Sequence, residues 1–141
     1  MLNEDLIEMA FIDQLRGQGF EFHHGPDIAP DSDNPQRKNF DSVVLENELL
    51  KAIEKLNPDV PSSAINEAHQ KVLNLGTEDI MENNECFHNY LTSGVPVEFT
   101  KNGASKGVNI DLLDIENPEN NTYWAVNQLV IKENNVNRRL D

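Results

Sequence analysis

The chain has a single cysteine and one tryptophan, and its 11 lysines and arginines are outnumbered by 25 aspartates and glutamates. A lone thiol excludes an internal disulfide. Set between Glu85 and Phe87 on a predicted helix, Cys86 reads as a small core residue rather than a nucleophile. No apolar run approaches the length of a membrane span, and the opening MLNEDLIEMA turns acidic at its third residue, unlike a secretory or organellar leader. The expectation is a cytoplasmic protein with no membrane partner. The formal charge of −14 works against any direct grip on DNA, because phosphate binding needs Lys and Arg. Either the DNA contacts lie elsewhere on a longer polypeptide, or the acidic surface is itself the function, as in proteins that imitate DNA. No internal repeat or second composition regime is present, so 141 residues predict one domain or a piece of one. At 38% hydrophobic the chain is polar for a globular domain, yet it holds enough aliphatic residues to fold, with the surplus in solvated loops.

What is there begins with a helix. Asn3 can cap it, Glu4 and Asp5 suit the positive end of its dipole, and Leu6, Ala10 with Ile7, Phe11 and Leu15 recur at helical spacing to about Arg16. Gly17 and Gly19 end it, and Phe20 to Phe22 alternate as a short strand. His23 to Phe40 has three prolines and three aspartates and almost no aliphatics, which predicts a long loop. Its paired histidines with Asp27, Asp31 and Asp33 match no known metal spacing, and a loop held by Asx turns over a binding site is the favoured reading. Three helices follow. Asp41 opens one with Leu45, Leu49, Ile53 and Leu56 on a face, closed by Pro58. Ser62 or Ser63 caps the next, striped by Ile65, Ala68, Val72 and Leu75. The third runs from about Asp79 to Thr92 and sets Ile80, Asn84, Phe87 and Leu91 on one face. His69 and His88 on these helices read as surface or hydrogen-bonded residues, not as general bases, since no acid partner is spelled beside them.

After Gly94 the period changes. Val95, Val97 and Phe99 alternate, Lys101 to Gly103 supply a turn, and Val108, Ile110 and Leu112 alternate on the return, which predicts a hairpin feeding a sheet. An Asn-rich loop, Glu116 to Thr122, leads to a strand, YWAVNQLVIK, from Tyr123 to Lys132, and a second extended segment opens at Asn137.

Several blocks in order, LIEMAFIDQLRGQGFEF, HGPDIAPDSDNPQR, VPVEF, DIENPENN and WAVNQLVIK followed by NRRLD, resemble the N-terminal part of the R subunit of type I restriction enzymes, a nuclease of the PD-(D/E)xK group. The resemblance implies an α+β fold of the restriction-endonuclease-like α/β kind, incomplete here. Residues 1–22 would be its first helix and strand, 23–40 a loop, 41–94 a helical insertion and 95–141 the start of its sheet. It implies that Asp141 is the first catalytic, metal-binding aspartate, with Leu140 in place of the motif's proline, and that Glu8 on the first helix faces the same Mg²⁺. It further implies that the intact subunit cleaves DNA after ATP-driven translocation, in a complex with methyltransferase and specificity subunits.

Phosphodiester hydrolysis needs a metal, several carboxylates to hold it and usually a cation, and one acid cannot supply this. No acid-x-Lys pair follows Asp141, and no GxxxxGK[ST] loop for ATP occurs in the chain. The expectation is therefore an N-terminal fragment, cut at its first catalytic residue and inactive by itself. The competing expectations are a complete acidic protein, non-catalytic, that docks on a restriction complex or mimics DNA, and a decayed gene fragment with an open sheet edge.

Overall fold

A computed structural model describes residues 3–140 and divides the chain into two compact units. One unit is Glu46–Asn121; the other joins the stretch that ends at Leu45 to the stretch that begins at Thr122. Helices and short strands are mixed in both, in agreement with an α+β reading.

In the unit Glu46–Asn121, the helices are α2 (Glu46–Leu56), α3 (Ser62–Leu73) and α4 (Ile80–Ser93), and the strands are β2 (Val95–Lys101) and β3 (Ala104–Ile110). Alternation along β2 buries Val95 and Val97 on one face, opposite Ile110 and Val108 across the antiparallel ladder. That face packs on the stripe Ala64, Ile65, Ala68 and Val72 of α3, with Ile53 of α2 fully buried beside it. Burying an isoleucine side chain in this way is worth about 1.5–3 kcal/mol. Asn102 and Gly103 turn the hairpin with φ of 53° and 78°, the left-handed pair that an Asn-Gly turn adopts readily. The hairpin is a two-stranded sheet of its own and does not feed a larger one, which corrects the sequence expectation. Asn57, just past α2, donates to the carbonyls of Ile53 (2.7 Å) and Asp111 (2.9 Å) and accepts from the Asp111 N–H (2.9 Å), satisfying backbone groups on both sides.

Four helix expectations need adjusting. The helix predicted from Asp41 begins at Glu46: Val43 and Val44 are adjacent β-branched residues, and the Ser42 carbonyl is held by Arg37 at 2.9 Å. Pro61, not a serine, sits at the N-cap of α3, and its carbonyl takes the N–H groups of Ala64 and Ile65. Leu75 lies beyond the end of that helix. On α4 no residue is buried; Ile80 is 74% exposed, and only the Tyr90 and Leu91 end rests on the core. Cys86 is half-buried beside Tyr90 and does not fill the core; a hydrogen bond with its thiol, followed by burial, raises the Tyr90 pKa.

The other unit holds α1 (Glu4–Gly17), β1 (Glu21–His24), β4 (Trp124–Asn127), β5 (Leu129–Glu133) and β6 (Val136–Leu140). Asn3 caps α1 through its side chain, as predicted, accepting from the Asp5 N–H at 3.2 Å. Of the predicted apolar positions of α1, Leu15 is half-buried and Leu6, Ile7, Ala10 and Phe11 are exposed. Leu6 and Phe11 are 64% and 61% exposed, whereas Ile12 is 5% exposed and Glu8 and Leu15 are half-buried. The inward face is Glu8, Ile12 and Leu15, at i, i+4 and i+7.

Strand β1 runs parallel to β4, with Glu21 opposite Trp124 and His24 opposite Asn127. Phe20 meets Tyr123 with ring centroids 5.3 Å apart, and the His23 ring lies 3.7 Å from that of Trp124, so aromatic contacts reinforce a short ladder. The predicted loop at His23 thus starts as strand, followed by a single 3₁₀ turn over Gly25–Ile28. The predicted strand Tyr123–Lys132 is broken at Gln128, and its second half pairs antiparallel with β6. Asn134 and Asn135, with φ of 50° and 63°, make the turn between those two strands.

Candidate active site

Gln128 carries the break. Its φ of 53° is left-handed, a conformation that costs a non-glycine residue about 1–2 kcal/mol and redirects the chain from β4 into β5. Nothing in the spelling NQLV signals it, because no Gly or Pro stands there.

The surrounding chain holds that conformation from three sides. Buried Gly25 packs so closely on the kink that a Cβ there would lie 2.6 Å from the carbonyl oxygens of both Asn127 and Gln128. Arg37, 4% exposed, donates from Nη1 to Ser42 O and from Nη2 to Val130 O, each at 2.9 Å; its pKa is lowered by burial. The Lys132 N–H donates to the Phe40 carbonyl at 3.0 Å, and the Lys132 ammonium lies 4.6 Å from the Phe40 ring centre. Gly25, Arg37 and Phe40 all belong to the segment His23–Phe40, which the sequence suggested as a loop over a binding site, without a catalytic role. It braces residues 127–132.

The brace sets the direction of the Gln128 side chain. Its Nε2 donates to Glu8 Oε1 at 3.2 Å. One residue earlier, Asn127 Oδ1 lies 2.9 Å from His24 Nδ1, so an Nδ1–H donates to the amide oxygen. Glu8, His24, Asn127 and Gln128 line one groove of about 850 Å³, together with Glu4 and Arg139.

Glu8 differs from Glu48 and Glu67. Glu48 is paired with Lys51 and Glu67 with Lys71, so those charges are met by cations of the chain itself. Among the described residues Glu8 has a neutral amide as its partner and no ion pair. A carboxylate held by an amide through one oxygen leaves the other for a cation that enters the groove, and its hard oxygen suits Mg²⁺. It supplies one ligand only: among the described residues no group of three or more His, Cys, Asp or Glu could hold a metal ion.

Of the two residues expected to share a site, Glu8 is placed in the groove and Asp141 lies outside the described residues. His23 stacks on Trp124, and Asp27, Asp31 and Asp33 are exposed along the segment. Buried His69 lies 3.0 Å from the Glu46 carbonyl, to which its Nε2–H donates, and is a hydrogen-bonded residue. Sequence reasoning missed Gln128, Asn127, His24 and Gly25; the one available signal was a glycine directly after a strand and before Pro26, a place where backbones often approach closely.

The whole chain, residues 1–141, matches the family described as Type I restriction enzyme R protein N terminus. It is 34% identical over 140 residues to the HindI type I restriction enzyme endonuclease subunit of Haemophilus influenzae, a match that covers 99% of this chain and 13% of the relative. It is 31% identical over 144 residues to a protein of Methanocaldococcus jannaschii provisionally named as the MjaIXP type I restriction enzyme endonuclease subunit, covering 99% of the chain and 14% of that relative. The chain thus spans about one seventh of the length of these relatives. No solved structure gives a significant match. No helix of the described residues is long and apolar enough to cross a membrane.

Proposed function

Because the chain belongs to the type I restriction enzyme R protein N-terminal family, we propose that the groove at Glu8 is one wall of an endonuclease active site in a longer R subunit. The observation that carries this reading is the state of Glu8: half-buried, charged in chemistry, held by an amide and paired with no cation among the described residues. The order of elements supports it, with a helix that bears the acid, a parallel strand pair beside it and a hairpin ending at Leu140, next to Asp141. That order is what a restriction-endonuclease-like reading of the PD-(D/E)xK group calls for at its start.

Glu8 and Asp141 would be two of the carboxylates that hold Mg²⁺, and the ion, when bound, would supply polarisation of the phosphodiester and of the attacking water, which side chains alone supply poorly. The chain's own contribution is to fix one oxygen ligand on α1 and to shape the groove from β1 and the β4–β5 kink. The remaining ligand and lysine, the ATP site of the motor and the contacts to DNA and to methyltransferase and specificity subunits belong to other parts of the complex. This chain alone is inactive.

The test is Glu8→Gln in the intact R subunit, with DNA cleavage measured beside ATP hydrolysis. Cleavage should fall by two or more orders of magnitude, in line with removal of about 3 kcal/mol of transition-state stabilisation, while ATP hydrolysis stays. Unchanged cleavage would remove Glu8 from the site.

A further inference from the structure

The geometry points to Gln128 as the residue that positions Glu8 for its metal, an inference that rests on the active-site reading above. Three observations lead there. The Gln128 backbone is in a left-handed conformation that a glutamine does not choose by itself, and such strain persists only where surroundings enforce it. The surroundings do so through backbone and one buried side chain: Gly25 sits against the carbonyls of residues 127 and 128, the Arg37 guanidinium donates to the Val130 carbonyl, and the Phe40 carbonyl accepts from the Lys132 N–H. The outcome of that enforcement is one polar contact, from the Gln128 amide to Glu8 Oε1 at 3.2 Å.

An amide is the donor that this task requires. A lysine or arginine in its place would neutralise Glu8 and compete with the metal, whereas an apolar side chain would leave the carboxylate free to rotate. An amide fixes one oxygen and leaves the other, Oε2, and the negative charge available. Ligand carboxylates are commonly oriented by such hydrogen bonds, and loss of the partner costs 10–100-fold in metal affinity or activity. Gln128 is therefore a positioning residue, and the His23–Phe40 segment is the frame that aims it.

Gln128→Gly separates this role from a structural one, because glycine accepts the left-handed backbone more readily than glutamine while removing the amide. In the intact R subunit, Mn²⁺ binding is followed by titration and electron paramagnetic resonance, cleavage is measured against Mg²⁺ concentration, and thermal unfolding is recorded. The expected result is a 10–100-fold weaker Mn²⁺ affinity and a cleavage defect that high Mg²⁺ largely repairs, with an unfolding temperature no lower than wild type. The double variant with Glu8→Gln should bind Mn²⁺ no more weakly than Glu8→Gln alone. Gln128→Asn, equally at home in the left-handed region but one carbon too short, gives the same result and serves if the glycine variant misfolds. Native Mn²⁺ affinity and native Mg²⁺ dependence in Gln128→Gly would overturn the positioning role. If Glu8→Gln itself binds Mn²⁺ and cleaves normally, the active-site reading fails first; if only Gln128→Gly is silent, that reading stands and this inference falls.

Discussion

A methyl group at Gly25 would lie 2.6 Å from the carbonyl oxygen of Gln128, closer than Cβ atoms come to backbone. Gly25 needs no special φ, so the constraint is one of space and its cost is steric. Gly25→Ala should destabilise the protein by about 1–3 kcal/mol, the range for forcing extra volume into a packed site. Gly17→Ala is the control: nothing lies within 4 Å of a Cβ there, and alanine in a helix gains roughly 0.5–1 kcal/mol over glycine. Denaturant unfolding of both variants should give shifts of opposite sign. A neutral Gly25→Ala would show that the close approach relaxes freely.

The second prediction concerns Asn57, whose amide serves three backbone groups of Ile53 and Asp111 while 8% exposed. Asn57→Ala removes the partner of the Asp111 N–H and of the Asp111 carbonyl, whereas the Ile53 carbonyl keeps the backbone N–H of residue 57 at 3.1 Å. The expected loss is about 1–3 kcal/mol, read as a lower midpoint in urea, whereas an exposed neighbour such as Asp59→Ala should shift it by less than about 0.5 kcal/mol. Equal shifts for the two would mean that water replaces the amide.

How much of this was legible in the sequence depends on whether the deciding interaction was local. The Asn102-Gly103 turn and the Ile65, Ala68 and Val72 stripe of α3 are local chemistry, and each appears where the spelling puts it. The inward face of α1 is not local: periodicity marks Leu6, Ile7 and Phe11 as a stripe, yet the helix turns Glu8 and Ile12 inward because of what packs beside it. The break at Gln128 was invisible for the same reason. Its left-handed φ is imposed by Gly25, 103 positions earlier, and by the Arg37 and Phe40 contacts, so no pattern within YWAVNQLVIK could announce it. Glu8 was found through resemblance; its amide partner needed coordinates.

A third prediction is a pH dependence seated in the loop after Leu112. Hydrogen bonds from the Asn120 side-chain amide (2.8 Å) and then the Asn117 N–H (2.9 Å) hold the Asp114 carboxyl below its ordinary pKa. A carboxyl whose folded pKa is depressed adds stability above its unfolded value, roughly 3.9, and loses it as pH falls through the lower folded value. Asp114→Asn should therefore melt below wild type at pH 7, and the gap should close as pH drops below roughly 3.9. A gap of constant size across that range would show that the loop depends on shape and not on charge.

The last prediction is that the 141-residue chain, prepared alone, neither retains nor nicks DNA. Its bases are few and several are already engaged: Arg37 is buried on backbone carbonyls, Lys51 and Lys71 are paired with Glu48 and Glu67, and Lys55 donates to the Asn120 carbonyl. What remains sits in a chain with a net charge of −14, so a duplex that approaches meets repulsion from most directions. Most of the acidic surplus lies in Glu46–Asn121, away in sequence from Glu8 and Arg139. Gel-shift titration at 50 mM salt should show no complex at micromolar protein, and lowering the salt should not produce one, since attraction through Lys and Arg is what strengthens at low ionic strength. Supercoiled plasmid with Mg²⁺ should stay intact, because Glu8 and Asp141 would be two ligands of a site that also needs a further carboxylate and a lysine. Binding that tightens as salt falls would reveal a basic surface strong enough to overcome the net charge. Nicking that disappears in Glu8→Gln would mean that 141 residues already hold a working metal site.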